Sequence, residues 1–190
     1  MFSMKLIILD RDGVINEDSD KYIKSPDEWL PIPGSLEAIA RLTRAGYRVV
    51  VASNQSGLAR GLFDMDTLTR IHDKLHRALA AAGGAVDAIF FCPHAPADDC
   101  ACRKPKPGLL LDIAARLHIP LSGVPVVGDA LRDVQAARAV GARAILVRTG
   151  KGALTEARGE GLQGVPVYDD LAAAVDALLA EQAGADAAGR

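Results

Sequence analysis

An apolar run, Leu6 to Leu9, leads directly into Asp10-Arg11-Asp12-Gly13-Val14. Two carboxylates two residues apart at the end of a strand-like segment can converge on one cation beside one substrate, which suits a reaction site better than a folding device. A second apolar run, Val124 to Val127, leads into Gly128-Asp129, and Asp133 follows. Asp10, Asp12 and Asp129 packed together would repel one another and be pushed toward protonation unless a cation sat among them. All-oxygen ligands suit Mg²⁺, which keeps several waters and takes one or two protein carboxylates plus substrate phosphate. Ser53 offers a hydroxyl donor and Lys104 an ammonium, the groups that hold phosphoryl oxygens as charge develops in transfer. One carboxylate can then attack while another moves the proton. An isolated Asp-x-Asp usually marks a solvated turn. The functional reading rests on its joint occurrence with the Ser, the Lys-Pro pair and Gly-Asp-x-x-x-Asp.

A second constellation lies just before Lys104. Cys92, Cys100 and Cys102, all three cysteines of the chain, fall with His94 inside eleven residues. An odd number of cysteines argues against a disulfide framework, and four soft ligands suit tetrahedral Zn²⁺. The one-residue spacing within each pair is tighter than in the usual finger, and a loop with free thiols is the alternative. An all-protein set of four leaves no open coordination position, so the expected zinc is structural and orders a loop that lacks core. The loop runs into Arg103 and Lys104, so it positions Arg103, whose fork can grip a second anionic group by bidentate hydrogen bonds. His72, His76 and His118 lie on helical stretches without partners at ligand spacing and read as surface or packing residues. Lys151, in the turn Thr149-Gly150-Lys151-Gly152, reads as solvated.

These residues need a scaffold that brings them to one edge. Short β-branched runs (Leu6 to Leu9, Tyr47 to Ala52, Ala88 to Phe91, Val124 to Val127, Ala144 to Val147) alternate with segments of helical period. Ser35 can cap a helix carrying Leu36, Ile39, Ala40 and Thr43, with Gly46 as its stop. Leu68, Ile71, Leu75, Leu79 and Ala82 repeat the pattern, and Leu109 to Leu117, Leu131 to Val140 and Leu171 to Leu179 supply three more helices. The expected fold is α/β, a doubly wound parallel sheet with helices on both faces. In such sheets ligands gather at the carboxyl ends of the strands. Asp10, Ser53, Asn54, Cys92 and Asp129 all fall there, so residues far apart in the chain would share one rim.

The chain has 190 residues, 49% of them hydrophobic, enough for one buried core. We expect a single domain over 1–181 and a disordered Ala-, Gly- and charge-rich tail over 182–190. Lys and Arg total 22 against 24 Asp and Glu, a net charge of -2 that leaves no footprint for nucleic acid or an anionic membrane. No window approaches ~20 apolar residues and the N-terminus lacks an export pattern, so the expected setting is cytoplasmic and the expected partner a small soluble ligand. A monomer is compatible with this weakly charged surface.

The four motifs together resemble those of the haloacid dehalogenase superfamily phosphatases. That resemblance implies a Rossmann-like fold in which Asp10 is the nucleophile that becomes phospho-aspartate. It implies that Asp12 protonates the leaving oxygen and later activates water. Asp10, the main-chain carbonyl of Asp12, and Asp129 would hold Mg²⁺, with Ser53 and Lys104 stabilising the phosphoryl group and Asp133 supporting them from behind. The gaps after the first two motifs hold no room for a separate cap domain, so the site should be open. The zinc loop, Asp-Arg-Asp-Gly-Val-Ile-Asn16 and Ser53-Asn-Gln-Ser-Gly-Leu-Ala-Arg-Gly61 resemble, over residues 5 to 152, the D-glycero-D-manno-heptose 1,7-bisphosphate 7-phosphatase family of ADP-heptose and lipopolysaccharide core precursor biosynthesis. By that resemblance Asn54, Gln55 and Ser56 line the substrate site and Arg103 recognises the sugar bisphosphate. Asp18 and Tyr22 fall near the family's other substrate segment, displaced by about a residue. Histidinol-phosphate phosphatases share the same motifs and zinc loop. A phospho-accepting receiver domain also uses Asp, Ser or Thr, Lys and Mg²⁺, but places the phosphorylated Asp after the third strand, where this chain has Phe90-Phe91-Cys92.

Overall fold

The alternating pattern becomes a six-stranded sheet wrapped by helices in the computed structural model, which describes residues 5–188. In chain order the elements are β1 (Lys5–Leu9), α1 (Ser35–Arg44), β2 (Tyr47–Asn54), α2 (Met65–Ala81), β3 (Ala88–Cys92), α3 (Gly108–Leu117), β4 (Pro125–Gly128), α4 (Leu131–Ala139), β5 (Arg143–Val147), α5 (Gly152–Arg158), β6 (Val167–Tyr168) and α6 (Leu171–Ala188). Every strand pair is parallel, in the order β3-β2-β1-β4-β5-β6. Both faces are buried, which is why the strands read as nearly continuous apolar runs. Ile7, Leu9, Val49 and Val51 face Ile39, Leu42, Ile71 and Leu75 of α1 and α2 and the apolar stripe of α6. Leu6, Ile8, Val50 and Val126 face Leu110 and Ile113 of α3 and Val134 of α4. Each alternate strand residue therefore feeds a different core, and truncating a central one such as Ile8 to Ala is expected to cost about 2–5 kcal/mol.

Strand order reverses at β1, whose neighbours are β2 and β4. That switch point opens a crevice above the strand ends. Asp10 N–H extends the ladder by donating to Val127 O at 2.9 Å, so the residues after β1 and β4 emerge side by side. The long segment after β1 is pinned to α2. Trp29 is fully buried, and Lys74 of α2 donates to Pro26 O at 2.6 Å and Trp29 O at 2.8 Å while lying over the indole.

Three expectations change. Ser35 is the first residue of α1 rather than its cap: Gly34, at φ +83°, occupies the cap, and the Ser35 hydroxyl donates to Ile15 O at 2.6 Å. Over the expected tail, α6 continues as far as Ala188 through an Ala-rich stretch that favours helix, following Glu181, which pairs with Arg143 of β5 through two bonds of 2.6 and 2.8 Å; residues 189–190 lie outside the described part. The elements α5 and β6 have no counterpart in the sequence reading, since one is polar and the other only two residues long.

Candidate active site and metal centres

Asp10 lies at the bottom of the crevice, 5% exposed. Its Oδ1 accepts the Arg11 main-chain N–H at 2.7 Å and its Oδ2 stands 3.1 Å from Lys104 Nζ. Lys104 also donates to Ala52 O at 2.8 Å and reaches Asp133 Oδ1 at 2.6 Å. Its backbone is clamped by Asn54, which donates to Lys104 O and accepts from Lys104 N–H, each at 3.1 Å. Burial disfavours the ammonium, but Asp10 and Asp133 outweigh it and raise the Lys104 pKa. Burial pushes Asp10 up to about 8, opposed by Lys104 and reinforced by Asp133 and Asp129. Ser53, at the end of β2, is buried and takes a hydrogen bond from Gln55 Nε2 at 2.8 Å.

The buried carboxylates at this edge form a set that could hold a cation. Carboxylate oxygens of Asp10, Asp129 and Asp133 lie within 4.8 Å of one another. Asp133 forms an ion pair with Lys104 through Oδ1 and accepts the Ala130 N–H at 3.0 Å on Oδ2. Asp129 accepts the Lys151 N–H at 2.8 Å on Oδ2, while its buried Oδ1 has no donor among the described residues. Burial pushes this carboxyl up to about 6. Gly13 and Gly150 flank it at φ +80° and +58°, and a Cβ on either would collide with Asp129 Oδ2. An orphaned buried oxygen beside a second buried carboxylate fits a hard, oxygen-seeking ion such as Mg²⁺.

Asp12 points elsewhere. Arg11 grips its carboxylate with Nε at 3.0 Å on Oδ1 and Nη2 at 3.1 Å on Oδ2, and Asn16 and Gln55 each add an amide donor at 2.9 Å. Burial alone would raise its pKa; Arg11 and the two amides hold it below the usual range. These four donors hold the Asp12 carboxylate in one orientation.

The cleft above Asp10 is lined by Asp18, Tyr22, Asn54, Gln55, Ser56 and Arg103, as the sequence reading expects, and also by Arg132 and Lys151. Arg103 donates to His94 O at 3.3 Å, which ties it to the cysteine loop. Arg132, on the first turn of α4, has a buried Nε that meets no hydrogen-bond partner among the described residues. Lys151, its side chain 43% exposed, also bridges Asp18 at 3.4 Å and Asp20 at 3.3 Å at the cleft. His72 likewise has a partner that spacing did not reveal, Arg11.

The four atoms of the second constellation converge. Cys92 Sγ lies 3.6 Å from His94 Nδ1, 3.5 Å from Cys100 Sγ and 3.1 Å from Cys102 Sγ; Cys102 Sγ is 3.3 Å from His94 Nδ1 and 3.6 Å from Cys100 Sγ. None of these is a disulfide. A tetrahedral Zn²⁺ with bonds of about 2.0–2.3 Å separates its ligands by roughly 3.5–3.8 Å, so the cluster needs only slight expansion to fit.

The HAD-hydrolase-like family model matches residues 101–174. The D-glycero-beta-D-manno-heptose-1,7-bisphosphate 7-phosphatase of Bordetella bronchiseptica is 63% identical over 178 residues, covering 94% of this chain and 99% of that one. The chain belongs to the heptose-bisphosphate phosphatase family. The enzyme of the same name from Pseudomonas aeruginosa is 54% identical, covering 93% and 99%. A crystal structure of D,D-heptose 1,7-bisphosphate phosphatase from B. bronchiseptica, complexed with magnesium and phosphate, superposes with a TM-score of 0.92 at 63% identity over 94% of this chain and 99% of that one. The Burkholderia thailandensis structure of the same name gives 0.74 at 52% identity, over 92% and 98%. The fold class and the family expected from the motifs are thus borne out.

Proposed function

We propose that this chain removes the 7-phosphate of D-glycero-beta-D-manno-heptose 1,7-bisphosphate through a phospho-aspartate on Asp10. The observation that carries this reading is Asp10 itself, held by Lys104 at 3.1 Å under a cleft whose rim presents Arg103, Arg132 and Lys151. An Asp10 oxygen attacks phosphorus as the bond to the C7 oxygen breaks, and the leaving oxygen takes a proton from Asp12. The cage around Asp12 favours its ionised form, and an incoming phosphate dianion beside it raises its proton affinity. Asp12 then takes a proton from water, whose oxygen attacks phosphorus, releasing inorganic phosphate and restoring Asp10. Ser53 and Lys104 steady the phosphoryl oxygens. Mg²⁺, held by Asp10, Asp129 and the Asp12 carbonyl, would supply charge neutralisation at those oxygens.

The second phosphate is the distinguishing feature of this substrate, and Arg103 and Arg132, which line the cleft, are the guanidinium groups placed to receive it. Zn²⁺ on Cys92, His94, Cys100 and Cys102 keeps Arg103 in place. No described helix is long and apolar enough to cross a membrane. Cysteines that form no disulfide suit a reducing cytoplasm, and a monomer completes the reading. An acid-quenched single turnover tests the covalent step: phosphate on the peptide containing Asp10, absent in Asp10→Asn, is expected, and phosphate on another peptide or none contradicts it.

A further inference from the structure

Arg11, between the two carboxylates of the first motif, has a fully buried side chain. A guanidinium is always charged and offers only donors, so each buried N–H needs an acceptor. Nε and Nη2 spend theirs on Asp12, and Nη1 faces His72 Nε2 at 3.4 Å. His72 belongs to α2, anchored on either side by the buried Ile71 and Leu75, and its ring is tilted against Phe91 at a centroid distance of 6.1 Å. Only a neutral imidazole with its lone pair on Nε2 can accept here, and burial, aided by Arg11, lowers the His72 pKa to about 4. From these contacts we infer that His72 is a positioning residue: by fixing the third corner of the Arg11 fork, it aims the Asp12 carboxylate at the leaving oxygen.

The inference rests on the assignment of Asp12 as the acid, and the chemistry of leaving groups separates the two. An alkoxide needs a proton as the phosphorus–oxygen bond breaks, whereas p-nitrophenolate leaves without one. Loss of aim should therefore slow phosphorylation of Asp10 by a sugar phosphate and spare that by p-nitrophenyl phosphate. A general loosening of the fold would slow both.

The test compares kcat/KM for heptose 1,7-bisphosphate and for p-nitrophenyl phosphate in wild type, Asp12→Asn, His72→Leu and His72→Gln, each checked for folding by circular dichroism. His72→Leu is expected to lower the sugar-to-aryl ratio about tenfold, and His72→Gln, whose amide oxygen can accept from Arg11, to recover most of it. If Asp12→Asn lowers the ratio but His72→Leu does not, His72 has no positioning role and the assignment of Asp12 stands. If Asp12→Asn itself leaves the ratio unchanged, that assignment falls and the inference with it. Equal loss on both substrates in His72→Leu, or no recovery in His72→Gln, also overturns the positioning role.

Discussion

Lys104 Nζ stands 2.6 Å from Asp133 Oδ1, with both side chains 3% exposed. The lysine that faces the reacting group is thus locked from behind by a buried carboxylate, and the pair can be broken from either side. Lys104→Met strands Asp10 and Asp133 in a buried pocket without their cation. We expect it to lower stability by about 3–5 kcal/mol and phosphate release by at least about a hundredfold. Urea unfolding alongside initial rates checks both, and an unchanged unfolding midpoint would contradict the network.

Protonation and cation binding compete at the same oxygens. Burial pushes Asp10 up to about 8 and Asp129 up to about 6, from an ordinary 3.8. An acid whose pKa is raised by folding binds more protons folded than unfolded, so across those windows the metal-free protein loses stability as pH rises. A divalent ion at these oxygens removes that loss. The gain in Tm on adding a fixed Mg²⁺ concentration is therefore expected to be larger near about pH 8 than near about pH 5. A gain that shrinks with rising pH would sink the assignment of Asp10 and Asp129 as ligands.

The cysteine loop predicts about one zinc per chain that survives removal of Mg²⁺. Cys100→Ser should lose it. Because Arg103 is tied to His94 O, the kinetic cost should appear mainly as a higher KM for the bisphosphate. Elemental analysis of the purified protein decides the first point, and a zinc content of nil refutes the loop reading.

The rim cations predict selectivity between one phosphate and two. Arg132→Gln should raise KM for the 1,7-bisphosphate about 10–100-fold, the worth of a charge-assisted contact, and change KM for a 7-monophosphate little. Equal effects on the two substrates would remove Arg132 from the distal phosphate.

Much of this site is legible in the chain because strand ends are. The apolar runs before Asp10 and Asp129 mark where β1 and β4 stop, and the rule of the switch point then brings those carboxylates together. The cysteine cluster is legible for a simpler reason, its closeness in sequence. Lys151 and its partners Asp18 and Asp20 are not, since they meet only when the turn after β5 closes over the segment after β1. Two signals could have been read further. Residue 72 is four positions after Leu68 and three before Leu75, hence on the edge of the buried stripe of α2 rather than its solvent face. Arg132 sits between Asp129 and Asp133 on a helical first turn, where a cation borders the acidic pair.

The most direct measurement is phosphate release, with Mg²⁺, from both anomers of D-glycero-D-manno-heptose 1,7-bisphosphate and from histidinol phosphate, with Asp10→Asn as the blank. The expected result is a kcat/KM for the beta anomer well above that for histidinol phosphate, and no turnover by a folded Asp10→Asn. A preference for histidinol phosphate would contradict the substrate assignment, and near-wild-type turnover by Asp10→Asn would contradict the mechanism.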